Sequence, residues 1–181
     1  MRVLGVDPGS GATGFGLVER RGGRVLHLRH GVIRPPRDAA LADRLAFLHR
    51  ELHTLLAESA PGLAVVERVF VAANPRSALV LGQARGALLA SLGAAGVPVR
   101  ELGARHVKKA ITGTGDADKR QMQTMVTRLL ELEAPPPTDA ADALALALTS
   151  VSTGALADLP LPPRRRTSRR ATTRFVLGRA R

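Results

Sequence analysis

The sequence has no cysteine, no tryptophan and no tyrosine, and it has only four phenylalanines among 181 residues. The lack of cysteine excludes disulfide bonds, thiolate catalysis and cysteine-ligated zinc. No apolar run reaches the roughly 18–20 residues that a membrane-spanning helix needs. The first residues, Met1-Arg2-Val3, lead directly into an apolar strand pattern and do not have the layout of a secretory signal. We therefore expect a cytoplasmic protein with no membrane segment.

Acidic residues are few relative to basic ones: 15 against 27, for a formal net charge of +12. That balance favours a polyanionic partner such as nucleic acid. Between Pro160 and Arg181 the chain has eight arginines and no acid. We interpret residues 156–181 as a mobile, basic Arg/Pro-rich tail that either aids solubility or touches nucleic acid non-specifically. Residues 1–155 are long enough for one domain with a full core.

Hydrophobic periodicity predicts an α/β fold, with three strands first and three helices last. The predicted strands are 1–7, 15–20, 24–33, 62–67 and 97–101, and the predicted helices are 38–58, 74–93, 104–111, 119–132 and 138–151. Asp38 is expected to cap the first helix, and Asp118 with Gln121 resembles a capping box. We expect the first strands to form a meander and the helices to cover the sheet.

Four carboxylates lie at the ends of predicted elements. Asp7 and Glu67 each end an apolar strand, and Asp139 and Asp142 open the last helix, three residues apart on one face. Ligands of α/β sheets gather at the carboxyl ends of strands, so Asp7 and Glu67 meet if their strands are neighbours. Clustered carboxylates need a counter-charge, and Mg²⁺ prefers oxygen ligands. The pattern indicates a metal-dependent phosphodiester hydrolase, in which two ions act on the phosphate.

Each of these acids also has a purely structural interpretation. Aspartate often follows a strand as a turn residue. Asp139 as N-cap and Asp142 in the first turn would complement the helix dipole. Glu67 fits this explanation less well, because glutamate is a poor cap. Only the metal-site interpretation requires all four acids to converge.

The segment Gly9–Gly14 matches the dinucleotide-binding pattern G-x-G-x-x-G. That motif needs a helix directly after it to hold a pyrophosphate, whereas this chain continues with the strand-like Phe15–Val18. We interpret the segment as a tight turn between the first two strands. His49 and His53 lack the glutamate of a zinc-protease helix, so we interpret them as surface residues.

Five stretches together resemble the RuvC family of Holliday junction resolvases. They are GVDPGS at 5–10 with Thr13-Gly14, VERVF at 66–70, LGQARG at 81–86, RHVKK at 105–109 and DAADALA at 139–145. The resemblance runs from residue 1 to about residue 151 and implies a ribonuclease H-like fold, a mixed five-stranded sheet with helices on both faces. It also implies a homodimer that nicks four-way DNA junctions in recombination and repair. The nicks would depend on Mg²⁺, with two ions per active site and Mn²⁺ as a substitute, and leave 5′-phosphate and 3′-hydroxyl ends.

The resemblance also assigns roles to single residues. It makes Asp7, Glu67, Asp139 and Asp142 the metal ligands and catalytic acids, and it makes Lys119 a catalytic residue that offsets transition-state charge. Its DNA contacts map to Phe70, Arg76, Lys108, Lys109 and Lys119. Phe70 is expected to stack on an unpaired base at the crossover; the alternative is a side chain tucked under its own loop. The resemblance further implies a branch-migration complex of the RuvA and RuvB type as a partner.

Other function classes remain open at this point. An actin-like kinase also begins with a strand and an acidic loop, but it needs a second, similar lobe. A non-catalytic nucleic-acid-binding protein would tolerate loss of the acids. A general ribonuclease H-like nuclease would prefer RNA–DNA hybrids. For the dimer, we expect a seam on the predicted helix 74–93 through Ala78, Leu81, Ala84 and Leu88, unless that surface packs on the sheet.

Overall fold

A computed structural model of the chain describes residues 1–9, 11–68 and 74–152. The strands are β1 Arg2–Asp7, β2 Thr13–Arg21, β3 Arg24–Ile33, β4 Leu63–Arg68 and β5 Val99–Gly103, and the helices are α1 Leu41–Ser59, α2 Pro75–Ala94, α3 Ala104–Thr112, α4 Lys119–Leu129 and α5 Thr138–Ser152. Phe70 and the predicted tail 156–181 lie outside the described residues, so the division of the chain at residue 155 stays a prediction. In the described ranges, no helix has both the length and the apolar character needed to cross a bilayer.

The five strands form one mixed sheet in the order β3-β2-β1-β4-β5. The first three strands are antiparallel neighbours, as a meander requires. β1 pairs with β4 in parallel, and β4 pairs with β5 in parallel. Because parallel strands end at the same edge of a sheet, the carboxyl ends of β1 and β4 lie side by side.

Helices cover both faces of the sheet, because successive strand residues point to opposite sides. Val3 packs in one core with residues of α3, α4 and α5, whereas the next residue, Leu4, packs in the other core with residues of α1 and α2. On β4, Val65 packs in the same core as Val3, and Val66 packs in the same core as Leu4. The predicted α/β class and the ribonuclease H-like arrangement are confirmed.

Glycines allow α5 to lie unusually close to the sheet. A Cβ added to Gly14 would collide with the carbonyl oxygen of Asp139, and one added to Gly5 would collide with the carbonyl oxygen of Ala143. The backbone of α5 therefore rests almost directly on β1 and β2. Larger residues at these two strand positions would push the helix away.

Some predicted helix and strand ends are wrong. α1 begins at Leu41 with Ala40 at its N-cap and no side-chain cap bond, so Asp38 lies in the preceding turn and does not cap the helix. In contrast, the capping box of Asp118 and Gln121 is present at the start of α4. α4 ends at Leu129, three residues before the predicted end, and Glu131 there adopts a left-handed backbone with φ of 51°.

Candidate active site

The first pair of acids, Asp7 and Glu67, is positioned by strand pairing. The last registered pair of β1 and β4 is Val6 with Val66, so Asp7 and Glu67 are the next residues on two adjacent parallel strands. A side-chain hydrogen bond joins the two carboxyl groups. The two acids are thus in direct contact at the edge of the sheet.

The second pair of acids lies at the start of α5. From Ala140 to Val151, every residue of this helix is buried except Asp142, which is half-buried. Asp139 lies in the first turn of the helix, with Thr138 before it, so it is not the N-cap. Its carbonyl is packed against Gly14, which pairs with Asp7 across β1 and β2. The first turn of α5 therefore lies directly beside the end of β1.

Electrostatic coupling shows that the four acids lie close together. Burial raises the pKa of Asp7 from 3.8 to about 8, and repulsion from Glu67, Asp142 and Asp139 adds to this rise, as does the hydrogen bond to Glu67. Burial also raises the pKa of Asp142 to about 6, with further repulsion from Glu67 and Asp139. Acids whose pKa values are raised in this way favour a nearby cation and are typical of functional sites.

Two lysines lie beside these acids and counter part of their charge. Lys119 and Lys108, in that order of effect, lower the pKa of Asp142. A cleft of about 100 Å³ is lined by Glu67, Asp142 and both lysines, and its remaining walls are Ala104, Val107, Met122 and Leu146. The lysines come from α3 and α4, so the cleft is built where both helices meet the edge of the sheet.

The donor set fits a hard divalent cation. All four acids offer oxygen ligands, which Mg²⁺ prefers, and the raised pKa values of Asp7 and Asp142 show that positive charge is favoured here. As the side chains stand, however, no three histidine, cysteine, aspartate or glutamate residues in the described ranges are grouped so that they could hold a metal. A cation bound between Asp7 and Glu67 would replace their hydrogen bond.

The other predicted DNA contacts are more dispersed. Lys109 is exposed and lies outside the carboxylate cleft; it lines a separate cavity of about 560 Å³ with Arg105 and His106. Arg76 is exposed in the first turn of α2, where its backbone N–H donates to the Asn74 side chain at 3.0 Å. Phe70 lies outside the described residues.

Comparison with known proteins shows the family of this chain. The family model of the crossover junction endodeoxyribonuclease RuvC matches residues 3–150. The chain is 49% identical to RuvC of Burkholderia vietnamiensis over 85% of both chains, and 49% identical to RuvC of Hyphomonas neptunium over 82% of this chain and 89% of that one.

The chain belongs to the RuvC family.

Solved structures of RuvC proteins have the same architecture. The Thermus thermophilus RuvC in complex with a Holliday junction substrate superposes with a TM-score of 0.80 at 33% identity, covering 87% of this chain and 96% of that one. The yeast mitochondrial Holliday junction resolvase Ydc2 shares the fold, with a TM-score of 0.61 at 13% identity. The predicted membership in this family is confirmed, and the chain is a hydrolytic endodeoxyribonuclease of the RuvC family, whose nucleases are metal-dependent.

The RuvC resemblance did not reveal what the residues of α2 do in this chain. Arg85, within LGQARG, forms an ion pair with Glu101 at 2.8 Å and so ties α2 to β5. Ala84 and Leu88 of the expected dimer seam are buried in the core beneath α2 and pack on the sheet, whereas Ala78 and Leu81 are half-buried. The outer side of α2 instead carries Leu79, which is 63% exposed.

Sequence reasoning missed the residues that shape the site without touching substrate. Gly14 and Gly5 set the height of α5 above the sheet, and Val107 and Met122 form the apolar side of the cleft. The spacing of apolar residues in α3 predicts that Val107 is buried, but it does not say what Val107 packs beside. For the glycines no local signal exists, since their partners lie more than a hundred residues away.

Proposed function

We propose that this chain resolves four-way DNA junctions by hydrolysing one phosphodiester bond at each of two symmetric carboxylate clefts. The observation that carries the proposal is the meeting of Asp7, Glu67, Asp139 and Asp142 with Lys108 and Lys119 at one edge of the sheet. The likeness to the Thermus thermophilus RuvC, which was solved with a Holliday junction, supports the choice of substrate.

We assign Mg²⁺ to the four acids, with two ions per cleft and Mn²⁺ as a substitute. When bound, such ions activate water and stabilise the leaving oxygen. The acids hold and orient this charge. Lys108 and Lys119 hold the scissile strand, and Lys119 offsets negative charge that develops on the phosphate. The products would carry 5′-phosphate and 3′-hydroxyl ends, which a ligase can join.

The four-way junction itself supplies the reason for a homodimer. A junction presents two equivalent strands, and a two-fold dimer presents two equivalent sites. We place the dimer contact on the outer side of α2, at the exposed Leu79, because Ala84 and Leu88 are already buried within one chain. Leu79→Glu is expected to shift the chain toward monomer in light scattering. If Leu79→Glu remains a dimer, the dimer contact does not lie at Leu79.

Other contacts are assigned from the family pattern. Phe70 would stack on an unpaired base at the crossover, and Arg76 and Lys109 would contact phosphates along the arms. A branch-migration complex of the RuvA and RuvB type would deliver the junction, and the reaction would take place in the cytoplasm. Phe70→Ala is expected to impair cleavage of intact junctions more than of pre-nicked ones, and equal losses would argue against stacking.

Substrate choice is the decisive test. We would compare cleavage of a synthetic four-way junction, a linear duplex of one arm sequence and an RNA–DNA hybrid, each with Mg²⁺ and with EDTA. We expect paired symmetric nicks in the junction only, and only with Mg²⁺. Preferential cleavage of the hybrid would indicate a general ribonuclease H-like enzyme. Junction binding without cleavage would indicate a non-catalytic binding protein.

A further inference from the structure

A β-bulge in the edge strand β3 brings two histidines together. Val18 of β2 is paired with His27, but the preceding residue, Leu17, is paired with Arg29, so Leu28 is an extra residue in β3. In a regular strand, residues three apart point to opposite faces. The extra residue changes the alternation, and His27 and His30 therefore lie on the same face.

A hydrogen bond joins one nitrogen atom of each imidazole ring. Nδ1 of His30 lies 2.8 Å from Nε2 of His27, and the ring centroids are 4.9 Å apart with the rings tilted by 49°. With metal–nitrogen bonds of about 2.0 Å, two ligands at a right angle lie about 2.8 Å apart, whereas two tetrahedral ligands lie about 3.3 Å apart. A cation that took the place of the hydrogen-bonded proton could therefore keep both nitrogens at about this separation in the square-planar or tetragonal geometry that Cu²⁺ and Ni²⁺ prefer.

The surroundings favour a bound cation. The pair lines a groove of about 1000 Å³ between β3 and the segment 129–137 that joins α4 to α5. The other charged residues along the groove are Glu131, Glu133 and Arg24, so acids outnumber the single arginine. Burial and the nearby His30 lower the pKa of His27, which keeps this ring in the neutral form that binds metals.

The other histidine pair in the described ranges is less suited to this role. His49 and His53 are four residues apart on α1, with ring centroids 6.3 Å apart. Nδ1 of His49 is already 2.7 Å from the hydroxyl of Ser91. This pair is a natural control, because it has the same ligand atoms without the close approach.

We propose that His27 and His30 form a two-imidazole site for a tetragonal transition-metal ion, Cu²⁺ or Ni²⁺, separate from the carboxylate cleft. Because no third histidine, cysteine or carboxylate in the described part of the chain is grouped with them to hold a metal, water fills the remaining positions. Soft-to-borderline nitrogen ligands discriminate against Mg²⁺, so the two sites take different metals.

Copper binding to the full, untagged chain tests the proposal. One equivalent of Cu²⁺ is expected to give an axial electron paramagnetic resonance spectrum with two coordinated imidazole nitrogens, read on the unchanged protein. His27→Gln/His30→Gln should weaken the binding by at least about tenfold, whereas His49→Gln/His53→Gln should leave it unchanged. Circular dichroism melting confirms that both double variants fold.

Three results would overturn the site. They are a spectrum with fewer than two imidazole nitrogens, copper binding that survives His27→Gln/His30→Gln, and copper binding lost in His49→Gln/His53→Gln. Because the readout is copper coordination and not cleavage, each result is independent of whether the chain cuts junctions.

Discussion

Asp7 and Glu67 stand next to each other at the carboxyl ends of two adjacent parallel strands, and a side-chain hydrogen bond joins their carboxyl groups. The pairing of β1 with β4 makes this contact inevitable, because the residue that follows Val6 must lie beside the residue that follows Val66. The arrangement holds two acidic groups side by side before any partner binds. It is the reason why the cleft attracts cations.

Replacing Asp7 by Asn removes one of these acids and keeps the size of the side chain. We expect junction cleavage to fall by about a thousandfold or more, because a ligand and a charge are lost where transition-state charge must be balanced. Junction binding should remain. Asp116→Asn, an exposed acid on the loop before α4, is the matched control and should cleave normally. If Asp7→Asn cleaves junctions at the wild-type rate, Asp7 is not part of the active site.

The raised pKa values predict how stability depends on pH in the absence of metal. The folded protein holds protons on Asp7 and Asp142 up to about pH 8 and pH 6, whereas the unfolded chain releases them near 3.8. Their stabilising contribution is therefore complete below about pH 4 and is lost as the pH rises through 6 and 8. In EDTA, Asp7→Asn should be more stable than the wild type at pH 9, by roughly 1–3 kcal/mol.

The stability advantage of Asp7→Asn over the wild type should be smaller at pH 5 than at pH 9. Adding Mg²⁺ at pH 9 should also reduce this advantage, because the ion stabilises the wild type alone. Urea denaturation at the two pH values, with and without Mg²⁺, measures all four conditions. A gain of the same size at both pH values would show that repulsion among the acids is not its cause.

Lys119 and Lys109 offer a matched pair of lysines inside and outside the cleft. Lys119→Ala should slow single-turnover cleavage by about ten- to a hundredfold while weakening junction affinity much less, because its charge acts mainly on the transition state. Lys109→Ala should change cleavage little, since its side chain lines a different cavity. If Lys119→Ala weakens binding more than it slows cleavage, Lys119 serves to position DNA.

Gly14 is expected to tolerate no side chain. Gly14→Ala would force a methyl group against the carbonyl of Asp139, which should cost about 1–3 kcal/mol and displace the first turn of α5. Gly11→Ala is the control, since no atom lies within 4 Å of the position its Cβ would take. Thermal melting and cleavage should both decline in Gly14→Ala only. Equal behaviour of the two variants would argue that α5 does not depend on this contact.

Ala60 ends α1 in the left-handed conformation, with φ of 43° and ψ of 60°. Glycine adopts this conformation without the steric cost of a Cβ, so Ala60→Gly should stabilise the protein by about 0.5–1 kcal/mol. Ala46→Gly, at an exposed position within the same helix, should instead cost about 1 kcal/mol. Chemical denaturation of both variants compares these opposite signs. A loss of stability in Ala60→Gly would contradict the backbone assignment.

The sequence could predict those features that depend on local pattern. Apolar runs before Asp7 and Glu67 identified the two central strands, and the spacing of Asp118 and Gln121 identified the start of α4. Asp38 misled because it is the one residue of a capping type in the segment before the helix, whereas the structure begins α1 at Leu41 without any side-chain cap. Helix ends are decided by fractions of a kcal/mol that tertiary packing easily outweighs.

Features that depend on contacts between residues far apart in the chain could not be predicted from the sequence. Ala84 and Leu88 are apolar in either case, and only the fold shows that they face the chain's own core. The meeting of His27 and His30 depends on a bulge at Leu28, which leaves no mark in the residue pattern. The four acids could be proposed as a group from strand ends and from family likeness, but the packing that gathers them is tertiary.

The burial of α5 limits how this helix can change. Asp142 is the one residue between Ala140 and Val151 that is not fully buried. Inserting a single residue after it would rotate the rest of the helix by about 100° and bring different side chains against Gly5. An insertion within the helix before Asp142 would rotate Asp142 toward the buried face of α5 that packs on the sheet. The helix can accept substitutions of matching size, but its length from the first acid onward is held constant by the chemistry at its start.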